Sequence, residues 1–188
     1  MEIKSKYRIL GIDPGTNILG YGVIEVFEKK MFLIDIGVLK MGHTPEHAYK
    51  LKLIFERVQE LISQHRVSQL AIEAPFYGKN VQSMLKLGRA QGVAIAAGIT
   101  KGLDVTEYMP KKIKQSVTGN GNASKEQVAA MLNQVFSCAL EEKYFDATDA
   151  LATAVCHFHQ SNSPLAGKSG TNDWSSFIKN NPSRLAKL

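Results

Sequence analysis

Cysteine is scarce in this chain, and its only two cysteines, Cys138 and Cys156, do not form a CxxC pair. This pattern indicates a reducing compartment and argues against a zinc site. Long apolar runs are also missing, because no segment approaches the roughly 20 apolar residues of a membrane helix. The apolar run near the N-terminus is too short for a signal peptide. We therefore expect a soluble, cytoplasmic protein that makes no membrane contact.

The composition fits one domain of ordinary size. The chain has 188 residues, of which 44% are apolar, and this is enough for a real core. The formal net charge is +6. A polyanionic partner is compatible with this charge but is not shown by it, since many basic proteins bind no nucleic acid.

Apolar periodicity and turn signals predict five strands and five helices. The predicted strands are residues 7–13, 19–28, 31–40, 69–73 and 103–108. The predicted helices start at Thr44-Pro45, span 80–101, run from Pro110 to Gly119, run from a capping box at Ser124 to about Ser137, and span 146–160. This order predicts an α/β fold with a five-stranded mixed sheet and helices on both faces. We expect one domain over residues 1–160 and a flexible tail over residues 161–188.

Four carboxylates stand at the ends of predicted strands or near the start of the last predicted helix. Asp13 and Glu73 end predicted strands, where sites of open α/β sheets lie, and Asp146 and Asp149 share one face of the last helix. Each has an ordinary alternative: a turn residue, a strand end in solvent, a helix cap or a dipole partner. Together they would repel one another, and hard divalent cations such as Mg²⁺ or Mn²⁺ relieve such repulsion. Two such ions would activate a water for phosphodiester cleavage.

Basic and aromatic side chains accompany the acids. Lys111, Lys112 and Lys114 lie on the short helix, and Lys125 opens the next one, where they can bind DNA phosphates. A solvated basic face is the alternative for these lysines. Phe76 follows Glu73 on a loop, where its ring could stack on an unpaired base or pack inward as part of the core.

Glycines punctuate two further segments. Gly88, Gly92 and Gly98 on the helix over residues 80–101 predict close packing against the sheet or a symmetric partner, and the sequence does not separate the two. The loop GNGN at residues 119–122 could approach a phosphate or simply end a helix.

Five blocks carry a family resemblance: ILGIDPGT, LAIEAPF, NVQSMLKLGRAQGVAIAAG, KQSVTGNGNASKEQV and DATDALATAVCH. In order and spacing they resemble the RuvC family of Holliday junction resolvases, from about Tyr7 to His159. The resemblance implies an RNase H-like fold, a homodimer, and Mg²⁺-dependent paired nicking of four-way junction DNA during recombination and repair. It implies a branch-migration motor as a further partner. The carboxylate chemistry favours two Mg²⁺ ions per site, which Mn²⁺ can replace.

The resemblance also implies roles for single residues. The catalytic, metal-binding acids fall on Asp13, Glu73, Asp146 and Asp149; some members carry histidine in place of Asp146. The base-stacking aromatic falls on Phe76, and Lys114 and Lys125 match lysines linked to DNA binding and catalysis.

Three alternatives differ from a junction resolvase. A sugar-kinase or actin-like ATPase also ends its first strand in Gly-Ile-Asp-x-Gly-Thr, but it needs two such lobes, and this chain has room for one. A related RNase H-like nuclease of the YqgF type would act on other DNA or RNA. A catalytically silent junction-binding module would have no need of all four acids.

Overall fold

The computed structural model describes residues 6–75, 80–138 and 145–162. The strands in these ranges, numbered in chain order, are β1 (Tyr7–Asp13), β2 (Ile18–Phe27), β3 (Lys30–Lys40), β4 (Gln69–Glu73) and β5 (Asp104–Tyr108). The helices are α1 (His47–His65), α2 (Val81–Ile99), α3 (Pro110–Thr118), α4 (Lys125–Phe136) and α5 (Phe145–Ser161). The chain divides into two compact units, Met1–Phe158 and His159–Leu188. None of the helices in the described ranges has the length and apolarity needed to cross a membrane.

The five strands form one mixed sheet in the order β3-β2-β1-β4-β5. β2 is antiparallel to both of its neighbours, whereas β4 and β5 continue the sheet parallel to β1. Because β2 alone runs in the opposite direction, the other four strands end at the same edge of the sheet. That edge is where acids were expected from the sequence.

Each face of the sheet has its own core, because successive side chains of a strand point to opposite faces. Leu10 and Ile12 of β1 belong to a core that α1 and α2 complete. Ile9, on the other face, belongs to a core that α3, α4 and α5 complete. The predicted five-stranded α/β fold with helices on both faces is confirmed.

Several local signals acted as expected. Ser124 accepts a hydrogen bond from the backbone of Gln127, whose side chain accepts one from the Ser124 backbone, so the predicted capping box opens α4. Gly119, with φ of 78°, ends α3 in the left-handed conformation. The helix-ending role of the GNGN loop is therefore observed.

The predicted start of α1 was wrong. The N-cap is Glu46, not Thr44, and no side chain caps this end of the helix. The amide of Thr44 donates instead to the Met41 carbonyl, at 3.1 Å, in a turn that precedes the helix. The helical hydrogen bonds begin with Lys50 donating to the Glu46 carbonyl. Thr44 therefore closes the turn that precedes α1 and does not cap the helix.

Candidate active site

Asp13 and Glu73 lie side by side at the ends of two neighbouring strands, β1 and β4. Ile12 pairs with Ile72 in the parallel register between β1 and β4, and the acids are the next residues of the two strands. The alternation along β1 and β4 directs both acids toward the face that α5 covers, since Ala71, two residues before Glu73, belongs to the core on that face. The sheet thus brings together two acids that lie 60 residues apart in the sequence.

Helix α5 approaches this face unusually closely because the strands beneath it carry glycines. The register places Gly11 opposite Gly22, and Asp13 opposite Gly20. A Cβ on Gly20 would overlap the backbone oxygen of Asp146, and a Cβ on either of the other two glycines would collide with the next turn of α5. These glycines therefore set the distance of Asp146 from Asp13. Sequence reasoning did not single them out, although their spacing around a strand-ending acid was a usable signal.

Asp146 and Asp149 lie on α5 and bring their negative charges close to Asp13. Asp146 lies in the first turn of the helix. Loss of solvent around Asp13, together with the negative charges of Asp149 and Asp146, raises the pKa of Asp13 to about 7. Loss of solvent around Glu73, with the charges of Asp13 and Asp149, raises the pKa of Glu73 to about 8. The folded chain therefore holds these carboxylates unfavourably unless positive charge joins them.

Lys125 supplies part of that positive charge. Its Nζ lies 2.6 Å from Oδ2 of Asp149. Burial lowers the pKa of Lys125, but the hydrogen bond to Asp149 and the charges of Asp149 and Asp13 outweigh burial, so its pKa is raised. A lysine in the first turn of α4 is opposed by the helix dipole. Its ion pair with Asp149 compensates for that position.

The acids are near enough to influence one another but are not gathered into a coordination shell. In the described ranges, no group of three or more His, Cys, Asp or Glu side chains is placed so that it could hold a metal ion. In this arrangement one carboxylate oxygen of Asp149 is engaged by Lys125.

A cavity of about 860 Å³ opens over the acids. Its walls combine acids with lysines from two helices and with the loop between them. The lining includes Asp13, Glu73, Lys111, Lys114, Gly121, Asn122, Lys125 and Asp149. A cavity with carboxylates at its base and ammonium groups on its walls can bind a phosphate and a cation together.

Comparison with known proteins identifies the family. The family model described as crossover junction endodeoxyribonuclease RuvC matches residues 9–157. The chain belongs to the RuvC family. Its relative from Christiangramia forsetii, named crossover junction endodeoxyribonuclease RuvC, is 56% identical over 97% of this chain and 95% of the relative. The resemblance drawn from the five sequence blocks is confirmed.

Solved RuvC structures share the fold. "T. thermophilus RuvC in complex with Holliday junction substrate" is 31% identical, with a TM-score of 0.73 over 80% of this chain and 92% of the other. The yeast mitochondrial Holliday junction resolvase Ydc2 is 14% identical, with a TM-score of 0.62 over 81% of this chain and 78% of the other, and it supports the fold alone.

The predicted RuvC-type site residues differ in where the structure places them. Lys111, Lys114 and Lys125 line the cavity over the acids. Lys112 is exposed on α3 and is not among the residues that line this cavity. Phe76 lies outside the described residues, so its predicted stacking role stays a prediction.

One pair beside the site was missed. Tyr108 ends β5 in register with Glu73, and its hydroxyl lies 2.9 Å from Nδ1 of His157 on α5. Burial raises the pKa of Tyr108 to about 12, so it stays a neutral hydroxyl. The pair links the edge that carries Glu73 to the helix that carries Asp146 and Asp149. Sequence reasoning had treated His157 as an ordinary helix residue.

Proposed function

We propose that this chain is a structure-specific endonuclease that resolves Holliday junctions by paired, metal-dependent nicking of two symmetric strands. The observation that carries the proposal is that Asp13, Glu73 and Asp149 line one cavity together with three lysines, and that Asp146 is close enough to raise the pKa of Asp13. Membership of the RuvC family supports the same activity.

We propose that these four acids bind Mg²⁺, two ions per site, with Mn²⁺ able to substitute. The donor set fits such ions, because it consists of oxygen atoms alone and its burial makes uncompensated negative charge costly. Bound Mg²⁺ would supply Lewis-acid activation of water and stabilisation of the leaving oxygen. Lys125 engages only Oδ2 of Asp149, so the other carboxylate oxygen remains available to a cation, and Lys125 keeps donors for a phosphate.

The residues of the chain itself would bind and orient the DNA strand. Lys111 and Lys114 come from α3 and Lys125 from α4, so the cavity presents ammonium groups from more than one direction. Such contacts fix the position of a phosphate without reading base sequence. Lys112 remains a candidate for a more distant phosphate contact, and Phe76 for stacking on an unpaired base.

We infer a homodimer from the exposed face of α2. Leu85 and Ile99 are 52% and 60% exposed, and a Cβ on Gly88 or Gly92 would meet no atom within 4 Å. These positions share one side of the helix, together with the exposed Ala96. A two-fold pairing along this stripe would give two equivalent active sites for two symmetric strands.

Further parts of the proposal rest on the composition of the sequence and, for the motor, on the family resemblance. They are a nuclease domain over residues 1–160 with a tail over 161–188, a cytoplasmic location, and delivery of the junction by a branch-migration motor.

Cleavage of a synthetic four-way junction against a linear duplex, with and without Mg²⁺, tests the proposal. We expect wild type to make paired nicks at the junction only when Mg²⁺ is present. Asp13→Asn should bind the junction and cleave it slower by orders of magnitude. Cleavage of linear duplex or RNA would assign the chain to another nuclease class. Tight junction binding without cleavage in any metal would indicate a binding module.

A further inference from the structure

A second basic cavity lies outside the acidic site. It has a volume of about 340 Å³ and is formed by the β1–β2 turn, the start of α1 and the start of α2. Its polar lining consists of Thr16, Asn17, His47, Lys50, Ser83 and Lys86. None of the described residues that line it is acidic. The cavity therefore has a net positive lining that nothing in the proposed mechanism uses.

This cavity shares an edge of the sheet with the acids but lies on the opposite face. α1 and α2 pack on one face and α5 on the other. The β1–β2 turn joins the two places, because Asp13 lines the acidic cavity and Thr16 lines the second cavity. Three residues of chain reach at most about 11 Å, so the two places are within the span of a few nucleotides.

Several polar groups of the cavity have unused bonding capacity. Nε2 of His47 is buried and has no hydrogen-bond partner. No side chain caps the N-terminus of α1, which His47 begins. Nζ of Lys50 donates to Oδ1 of Asn17 at 2.8 Å, which leaves two of its three donors for another acceptor. A buried, unpaired ring nitrogen is unfavourable in isolation. With the ring proton on Nε2, an anion that accepts from it would remove that penalty.

We propose that this cavity binds a backbone phosphate of the junction strand within a few nucleotides of the phosphate that lies at the acids. The strand would cross the sheet edge over the β1–β2 turn, with the acids and lysines of α3 and α4 on one side and Lys50 and Lys86 on the other. Two phosphates held on either side of Asp13 fix the direction of the strand, which a single phosphate contact cannot do. This inference deepens the proposed function and rests on it.

Salt dependence of junction binding tests the inference. All proteins carry Asp13→Asn, so that binding is measured without cleavage, and affinity for a four-way junction is measured over a range of salt concentrations. Lys86→Gln should weaken binding and reduce the slope of log affinity against log salt by about one. Lys52→Gln is the matched control, because Lys52 is on α1, exposed and paired with Glu56. It should leave the slope near that of the parent.

Neutral phosphates locate the contact. Methylphosphonates are placed one at a time at the phosphates flanking the cleavage point. One position should weaken binding of the parent protein but add nothing to the defect of Lys86→Gln, because the two changes remove the same contact. Full additivity at every position would overturn the proposal.

The alternative role for Lys50 is purely structural. Asn17→Ala removes its hydrogen bond but keeps its charge, so it should preserve the salt slope, whereas Lys50→Gln should reduce it. Cleavage by the same two variants is measured in a protein that keeps Asp13. If both variants lose cleavage there and both keep the parental salt slope in the binding assay, Lys50 only holds the turn and the proposed phosphate site is wrong. If wild type binds no junction at all, the proposed function and this inference fail together.

Discussion

Neutralising Asp13 should stabilise the metal-free protein, although it destroys the proposed activity. Burial and the neighbouring acids raise the pKa of Asp13 from 3.8 to about 7. The folded protein therefore keeps a proton on Asp13 in a pH range where the unfolded chain has released it. The part of the free energy of unfolding that depends on Asp13 is fully present below pH 3.8. It is lost as the pH rises through 7, because the unfolded state binds fewer protons than the folded state over that interval.

The size of the effect follows from the shift. Each unit of pKa corresponds to about 1.4 kcal/mol, so the penalty of ionised Asp13 at pH 8 is up to about 4 kcal/mol. Asparagine keeps the shape and removes the charge. For a chain of this size, 1 kcal/mol shifts Tm by about 2–4 °C, so Asp13→Asn should raise Tm by up to about 16 °C. Glu73 shares part of the repulsion, so Glu73→Gln should not add its full effect to that of Asp13→Asn.

The assay is thermal unfolding of wild type and Asp13→Asn in EDTA at pH 4 and pH 8, followed by circular dichroism. The variant should be more stable at pH 8, and the two proteins should converge toward pH 4, where Asp13 is protonated in the folded state and about half protonated in the unfolded chain. Titration of Mg²⁺ at pH 8 should favour wild type, because a ligand that binds only the folded state stabilises it. Equal melting temperatures in EDTA at pH 8 would refute the reasoning, as would a difference that does not change with pH.

Two further substitutions examine how the site is built. Gly20→Ala should push the start of α5, with Asp146, away from the sheet by on the order of 1 Å, and such a misplacement costs about 10²-fold in cleavage rate. Gly42→Ala is the control, because a Cβ on Gly42 meets nothing within 4 Å. A fully active Gly20→Ala enzyme would show that the close approach does not position the acid. Lys125→Met should lower Tm in EDTA, because Asp149 loses its 2.6 Å partner; unchanged melting would mean that this ion pair does not offset the repulsion.

Elements with strong local signals could be predicted from the sequence. The bounds of β1 and β4 agree to the residue, because each is an apolar run that stops at an acid, with a proline one or two residues later in the sequence. The charged stretch Glu28-Lys29-Lys30 between two apolar runs predicts a tight turn after β2. In the structure Glu28 and Lys29 adopt positive φ, as a two-residue hairpin requires, and Lys30 already begins β3. The start of α1 was not predictable in the same way, since a turn competed with the cap at Thr44.

Features that depend on the pairing of distant segments were beyond the sequence. The second basic cavity takes its lining from three segments, around Thr16, His47 and Lys86, and no local pattern joins them. The ion pair between Lys125 and Asp149 depends on how α4 and α5 pack on the sheet. The sequence suggested that Lys125 and Asp149 belong to one site, but it could not show that their side chains contact each other.

The position of the acids is set by backbone contacts more than by packing of their own side chains. Gly20 faces Asp13 across the β1–β2 ladder, and the backbone of Asp146 lies directly over Gly20. A helix start brought this close adds the positive end of its dipole to the site, which offsets part of the negative charge that Asp13 and Asp146 create together. The same contact therefore places Asp146 and offsets part of the repulsion that its position creates. This explains why small residues occur beneath the first turns of α5, where larger ones would pack a core better.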